Sequence, residues 1–151
     1  MKILIVEDDE DKRQQLLAFI SAELDADIVE ARSYQSGMKA LLAERFDLVL
    51  LDMSMTTFDK TPPENGGRPQ PYAGREILQQ MARRSIETNV IVVTQFDRFG
   101  RDDDEITLPE LDKSLSQGFS RTYKGAVHYS VKYAGWQDVL RNFLKELNLL
   151  K

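Results

Sequence analysis

A chain of 151 residues with 42% hydrophobic and 30% charged side chains has the length and balance of one ordinary globular domain with a single sizeable core. It has no cysteine, which excludes disulfides, zinc–thiolate sites and thiol nucleophiles, and a lone histidine, His128, which excludes a metal centre built on several imidazoles. A net charge of −5 argues against nonspecific binding to nucleic acid or to an anionic membrane, since both need basic patches that displace counterions.

Met1-Lys2 leads directly into a strand pattern, Ile3-Leu4-Ile5-Val6, with no signal-peptide architecture. No apolar run approaches the roughly 20 residues that span a bilayer. The chain reads as cytoplasmic, without a membrane partner. After the first strand, residues 2–6, the segment 10–24 places Leu16, Leu17, Ile20 and Leu24 at helical spacing behind acids that suit a helix N-terminus. Ile28 and Val29 mark a short second strand. A helix over 34–44 follows, then a third strand over 47–51.

The regular pattern stops in a loop spanning about 54–72, whose stretch 56–72 holds four of the five prolines and an adjacent glycine pair. Loops this long inside a domain are usually functional or disordered, and this one leaves the third strand right after Asp52. A helix is expected over 73–84, a fourth strand over 90–93, and a polar insertion over about 95–107 that includes Asp102-Asp103-Asp104-Glu105. That acidic run reads as a solvated loop and lacks the spacing of a calcium loop. Thr107-Leu108-Pro109-Glu110 has the form of a capped helix start, with the helix continuing to about Gly118. A fifth strand over 126–131 and a last helix over 135–148 complete the chain. The alternation predicts an α/β fold: one doubly wound, parallel five-stranded sheet in the order 2-1-3-4-5, with helices on both faces.

In that order each buried run ends on a polar group at the carboxyl edge of the sheet. The first ends in Glu7-Asp8-Asp9, the third in Asp52, the fourth in Thr94 and the fifth in Lys132. Crowded carboxylates repel unless a cation neutralises them, and a few hard oxygen ligands suit Mg²⁺, or Mn²⁺ in its place. Asp52 is the central nucleophile for a phosphoryl group, Lys132 a cation to pair with that group, and Thr94 a hydroxyl donor to it. Glu7 through Asp11 could alternatively be a solvated helix start. Lone Thr94 and Lys132 could be turn and surface residues. The four occurring in order at four strand ends favours the joint reading.

The stretches Ile3 to Asp9, Asp47 to Met53, Val90 to Thr94 and Gly125 to Lys132 together resemble the signature segments of response-regulator receiver domains, the phosphoacceptor modules of two-component systems. The resemblance implies that Glu7 and Asp8 are the acidic metal-binding pair and Asp52 the phosphorylated aspartate. It also implies that the Ser54 backbone carbonyl is a further metal ligand, Thr94 the switch hydroxyl, Lys132 the phosphate-contacting lysine and Tyr129 the rotating aromatic. Implied partners are a histidine kinase or phosphotransfer protein, and downstream a protein partner or a second copy of the chain. A chain filled by this one domain would act as a stand-alone module, not as an enzyme on a separate substrate.

Three features depart from the pattern. Tyr133 follows Lys132 where receivers usually have proline, and a cis bond there would cost about 2.5–4 kcal/mol, so a trans bond and an altered loop are expected. Gln95 is long where a small residue is common. Both polar excursions are extended. These departures favour an alternative, a degenerate receiver that works as an interaction module without phosphorylation. A third reading is a haloacid-dehalogenase-like phosphatase. Asp52-Met53-Ser54 opposes it, because Ser54 stands where that family has its acid. His128 is expected to be a partly buried strand residue, and Trp136 a packing or partner-facing one.

Overall fold

The computed structural model describes residues 1–59, 70–100, 103 and 105–150. Strands β1 (Lys2–Val6), β2 (Asp27–Ala31), β3 (Leu48–Leu51), β4 (Asn89–Thr94) and β7 (Tyr123–His128) form one parallel sheet in the order β2-β1-β3-β4-β7. Helices α1 (Glu10–Glu23), α2 (Tyr34–Ala43), α3 (Ala73–Arg83) and α4 (Leu108–Gly118) make the crossovers, and α5 (Gly135–Glu146) follows the last strand. This is the expected doubly wound sheet. A two-residue antiparallel pair, β5 (Arg98–Phe99) with β6 (Ile106–Thr107), lies inside the expected polar insertion. Much of the Pro/Gly-rich loop, and residues 102 and 104 of the run Asp102 to Glu105, lie outside the described residues. The base of the loop is pinned by the Met55–Gln70 bridge. Among the described residues no helix is long and apolar enough to cross a membrane.

Because strand side chains alternate between faces, each buried strand feeds two cores. Leu4, Val6, Val49, Leu51, Val90 and Val92 pack with Ile77, Leu78, Met81, Leu111 and Leu115 of α3 and α4. Ile3, Ile5, Leu48, Leu50, Ile91 and Val93 pack with Leu16, Ile20, Leu140 and Leu144 of α1 and α5. Counting on by two, Glu7 continues the Ile3–Ile5 face and Asp52 the Leu48–Leu50 face, so both carboxylates belong to the side that α1 covers.

The last strand differs from its expected position. It runs from Tyr123 to His128 rather than from 126 to 131, with Thr94 opposite His128. Tyr123 is buried in the core of α3 and α4 and Val127 in that of α1 and α5, with a register shift between them, whereas Val131 is 86% exposed and belongs to no core. Gly125 has a φ of +155°, and a Cβ there would collide with the Phe143 ring of α5. His128 is exposed at the strand end, not partly buried as expected. Trp136 is a packing residue, buried against Phe19 and Tyr129 with ring centroids 5.5 and 5.1 Å away.

Candidate functional site

The carboxyl ends of β1 and β3 lie side by side, with Val6 paired to Leu51, so the residues that follow them are neighbours. Asp52 N–H donates to the Val6 carbonyl (3.1 Å), and Glu7 N–H donates to the Ala31 carbonyl (2.9 Å). Glu7, Asp8 and Asp52 each present a carboxylate oxygen within 4.8 Å of the other two. Glu7 and Asp52 are buried, at 1% and 5% exposure, while Asp8 is half-buried and accepts from Thr56 N–H at 3.3 Å. An open cleft lined by Asp8, Asp9, Glu10, Arg13 and Arg32 adjoins the cluster.

The residue absent from the sequence expectation is Lys12. Asp9 caps α1, its Oδ1 accepting from the backbone N–H groups of Asp11 and Lys12. That fixes the start of the helix and turns Lys12 inward, where it is 1% exposed. Its ammonium lies 2.5 Å from Glu7 Oε1 and 3.4 Å from Asp52 Oδ2, and donates to the Val93 carbonyl at 2.7 Å. The neighbouring Arg13 is equally buried, donating to the Glu7 backbone carbonyl at 3.1 Å and to Glu30 at 3.2 Å. A signal for this was present in the sequence. Lys12 stands four, seven and eight residues before Leu16, Phe19 and Ile20, on the apolar face of α1.

Burial pushes the Glu7 carboxyl above the ordinary carboxylate range; the nearby Asp52 charge adds to this and Lys12 opposes it. Asp52 is also shifted upward, chiefly by burial, with Lys12 again opposing. One ammonium therefore compensates two desolvated acids only in part. Glu7 Oε1 meets Lys12 as an ion pair but receives no hydrogen bond of proper geometry, which leaves a buried acceptor oxygen facing the other acids. Three close carboxylates with an under-satisfied buried oxygen fit a hard divalent cation of the Mg²⁺ type.

The remaining expected residues are placed less uniformly. Ser54 is half-buried in the bend after Asp52. Asp52 Oδ1 accepts from Met53 N–H at 2.7 Å. Thr94 is fully buried at the end of β4, where its hydroxyl accepts from Phe96 N–H at 3.2 Å and its carbonyl accepts from Tyr129 N–H at 2.8 Å. Tyr129 is buried against Trp136, with the Lys12 ammonium 5.8 Å from its ring centroid. Lys132 does not end a strand. It lies four residues beyond β7 in the exposed stretch 131–135, held through its backbone N–H to Ser130 Oγ at 3.2 Å. Among the described residues its ammonium makes no ion pair or hydrogen bond, with Asp52 or any other residue.

Gly74 is a second residue that strand-end reasoning passes over. At the start of α3 it donates to the Met53 carbonyl at 2.9 Å. A Cβ there would lie 2.5 Å from the Asp52 carbonyl oxygen and 3.0 Å from Met53 Cα. The helix can approach the end of β3 this closely only because the side chain is a hydrogen.

Residues 3–105 match the family model of the response regulator receiver domain. A protein of Sinorhizobium fredii known only as uncharacterized protein y4jR is 36% identical over 146 residues, covering 94% of this chain and 95% of that one. The Detocs response regulatory protein DtcB of Enterobacter cloacae is 34% identical over 150 residues, covering 97% of this chain and 100% of that one. Among solved structures, the response regulator TrrA of Thermotoga maritima, in complex with Mg(2+)-BeF, superposes with a TM-score of 0.59 at 19% identity, covering 95% of this chain and 98% of that one.

Proposed function

The chain belongs to the response-regulator receiver family, and from that premise we propose that it is a phosphoacceptor module in which Asp52 takes a phosphoryl group from a histidine kinase or phosphotransfer protein in the cytoplasm. The observation that carries this reading is the convergence of Glu7, Asp8 and Asp52 within 4.8 Å. An Asp52 carboxylate oxygen forms the new O–P bond as the N–P bond of a phosphohistidine breaks, and the imidazole nitrogen keeps the bonding pair. Glu7, Asp8, Asp52 and the Ser54 carbonyl would hold Mg²⁺ or Mn²⁺, which supplies compensation for charge on the transferring oxygens when bound.

The β1 and β3 backbones hold the nucleophile in place, so little reorganisation precedes attack. The Thr94 hydroxyl and the Tyr129 ring respond to the new charge and pass the change to a protein partner or a second copy of the chain. The module turns over no separate substrate; it takes part only in its own phosphorylation and dephosphorylation. A second reading, an interaction module working without phosphorylation, is favoured by the outward placement of Lys132.

Intact-mass analysis after incubation with acetyl phosphate and Mg²⁺ separates the two. One added phosphoryl group on the native chain and none on Asp52→Asn supports the phosphoacceptor. An unlabelled native chain overturns it and leaves the interaction module.

A further inference from the structure

An ammonium has three N–H donors and no acceptor. At Lys12 the ammonium donates to the Val93 carbonyl on β4 and lies within ion-pair distance of two carboxylates at adjacent strand ends, Glu7 after β1 and Asp52 after β3. The group is 1% exposed, and its stem leaves a helix whose start the Asp9 cap fixes. Lys132 shows the opposite on every count. Its segment is exposed, it follows β7 at a distance of four residues, and its neighbours Val131 and Tyr133 are 86% and 74% exposed.

A phosphoryl group on Asp52 replaces one negative charge with about two, and the cation that answers it must already lie beside the carboxylate in a site closed to water. We propose that Lys12, projecting from the first turn of α1, and not Lys132, is the ammonium that pairs with the acceptor carboxylate and then with the phosphoryl oxygens on Asp52. The inference rests on the phosphoacceptor reading above and assigns that site its cation. Parity of the strands supports it. The Glu7 and Asp52 side chains fall on the sheet face that α1 covers, so a lysine on the buried stripe of α1 already lies beside them, whereas Lys132 stands in the exposed stretch 131–135.

The test compares acetyl-phosphate labelling rates, in Mg²⁺, of the native chain, Lys12→Gln, Lys12→Arg and Lys132→Ala, with circular dichroism confirming that each is folded. Lys12→Gln should label roughly tenfold or more slowly, as for loss of a preorganised charge donor. Lys12→Arg should recover part of the rate, and Lys132→Ala should stay within about a factor of two, as an exposed side chain does. If Lys12→Gln does not fold, lysine Nζ resonances of the native chain decide: adding beryllofluoride with Mg²⁺ should shift the Lys12 ammonium and leave Lys132 in place. A labelling loss in Lys132→Ala, a normal rate in Lys12→Gln, or a shift at Lys132 without one at Lys12 overturns the assignment while the phosphoacceptor stands. A native chain that takes no label overturns the phosphoacceptor itself.

Discussion

At the carboxyl ends of β1, β3 and β4, polar groups are held by several contacts at once; in the segment between β7 and α5, Lys132 hangs on one backbone hydrogen bond to Ser130. The contrast follows from position in the sheet. Strands β1, β3 and β4 are paired on both sides and covered on both faces, so any group at their ends is hemmed in by neighbours. β7 is an edge strand paired only with β4, and the stretch 131–135 beyond it is exposed. A sheet of this kind fixes the position of a charged group more firmly at its centre than at its rim, at the cost of desolvating it. The carboxylate cluster accordingly sits beside α1, while the stretch 131–135 on the β7–α5 side is exposed.

Substitutions on the two sides should separate sharply. Leu50→Ala, in the α1-covered core beneath Asp52, should cost about 2–5 kcal/mol in urea unfolding, whereas Val131→Ser should stay within about 0.5 kcal/mol. Equal costs would erase the distinction between a rigid centre and a loose rim. Next in size, Gly74→Ala should destabilise by about 1–3 kcal/mol, because the backbone oxygen of Asp52 must give way and the helix-propensity gain of Ala repays only part. It should also slow labelling of Asp52, since the displaced atoms belong to the acceptor residue.

A further effect is a gradient with pH. The folded-state pKa of Glu7 is raised above its ordinary 4.5, so the folded chain keeps a proton that the unfolded chain has released. The associated stability is fully present below that ordinary value and declines as pH rises toward the raised one. Urea midpoints of the metal-free native chain should fall across this range, and Glu7→Gln or added Mg²⁺ should flatten the decline. A native slope unchanged by either would mean that Glu7 carries no such burden.

The sheet was legible because four apolar runs, at 3–6, 48–51, 90–93 and the start of the fifth, alternate with helical spacing, and right-handed crossovers leave few ways to arrange them. Glu7, Asp8 and Asp52 were legible for the same reason, each standing where a buried run stops. The fifth strand was displaced because Ala126 to Val131 looks like a strand by composition, while burial of Tyr123 and the Gly125–Phe143 approach set the real register. The β5–β6 pair has two residues per strand, too few to show any period. Lys12 was missed because charge at a helix start reads as a solvated face. Only the tertiary position of Glu7 and Asp52 makes a buried lysine there favourable, since it supplies the counter-charge they lack.

Reduction of acetyl-phosphate-treated protein with borohydride converts an acyl phosphate at an aspartate into homoserine, which peptide sequencing by mass spectrometry can place. The account predicts homoserine at position 52 in the native chain and at no other acid. Conversion at Glu7 or Asp8 instead, or a phosphoryl group that survives as a nitrogen-linked species on His128, would contradict it.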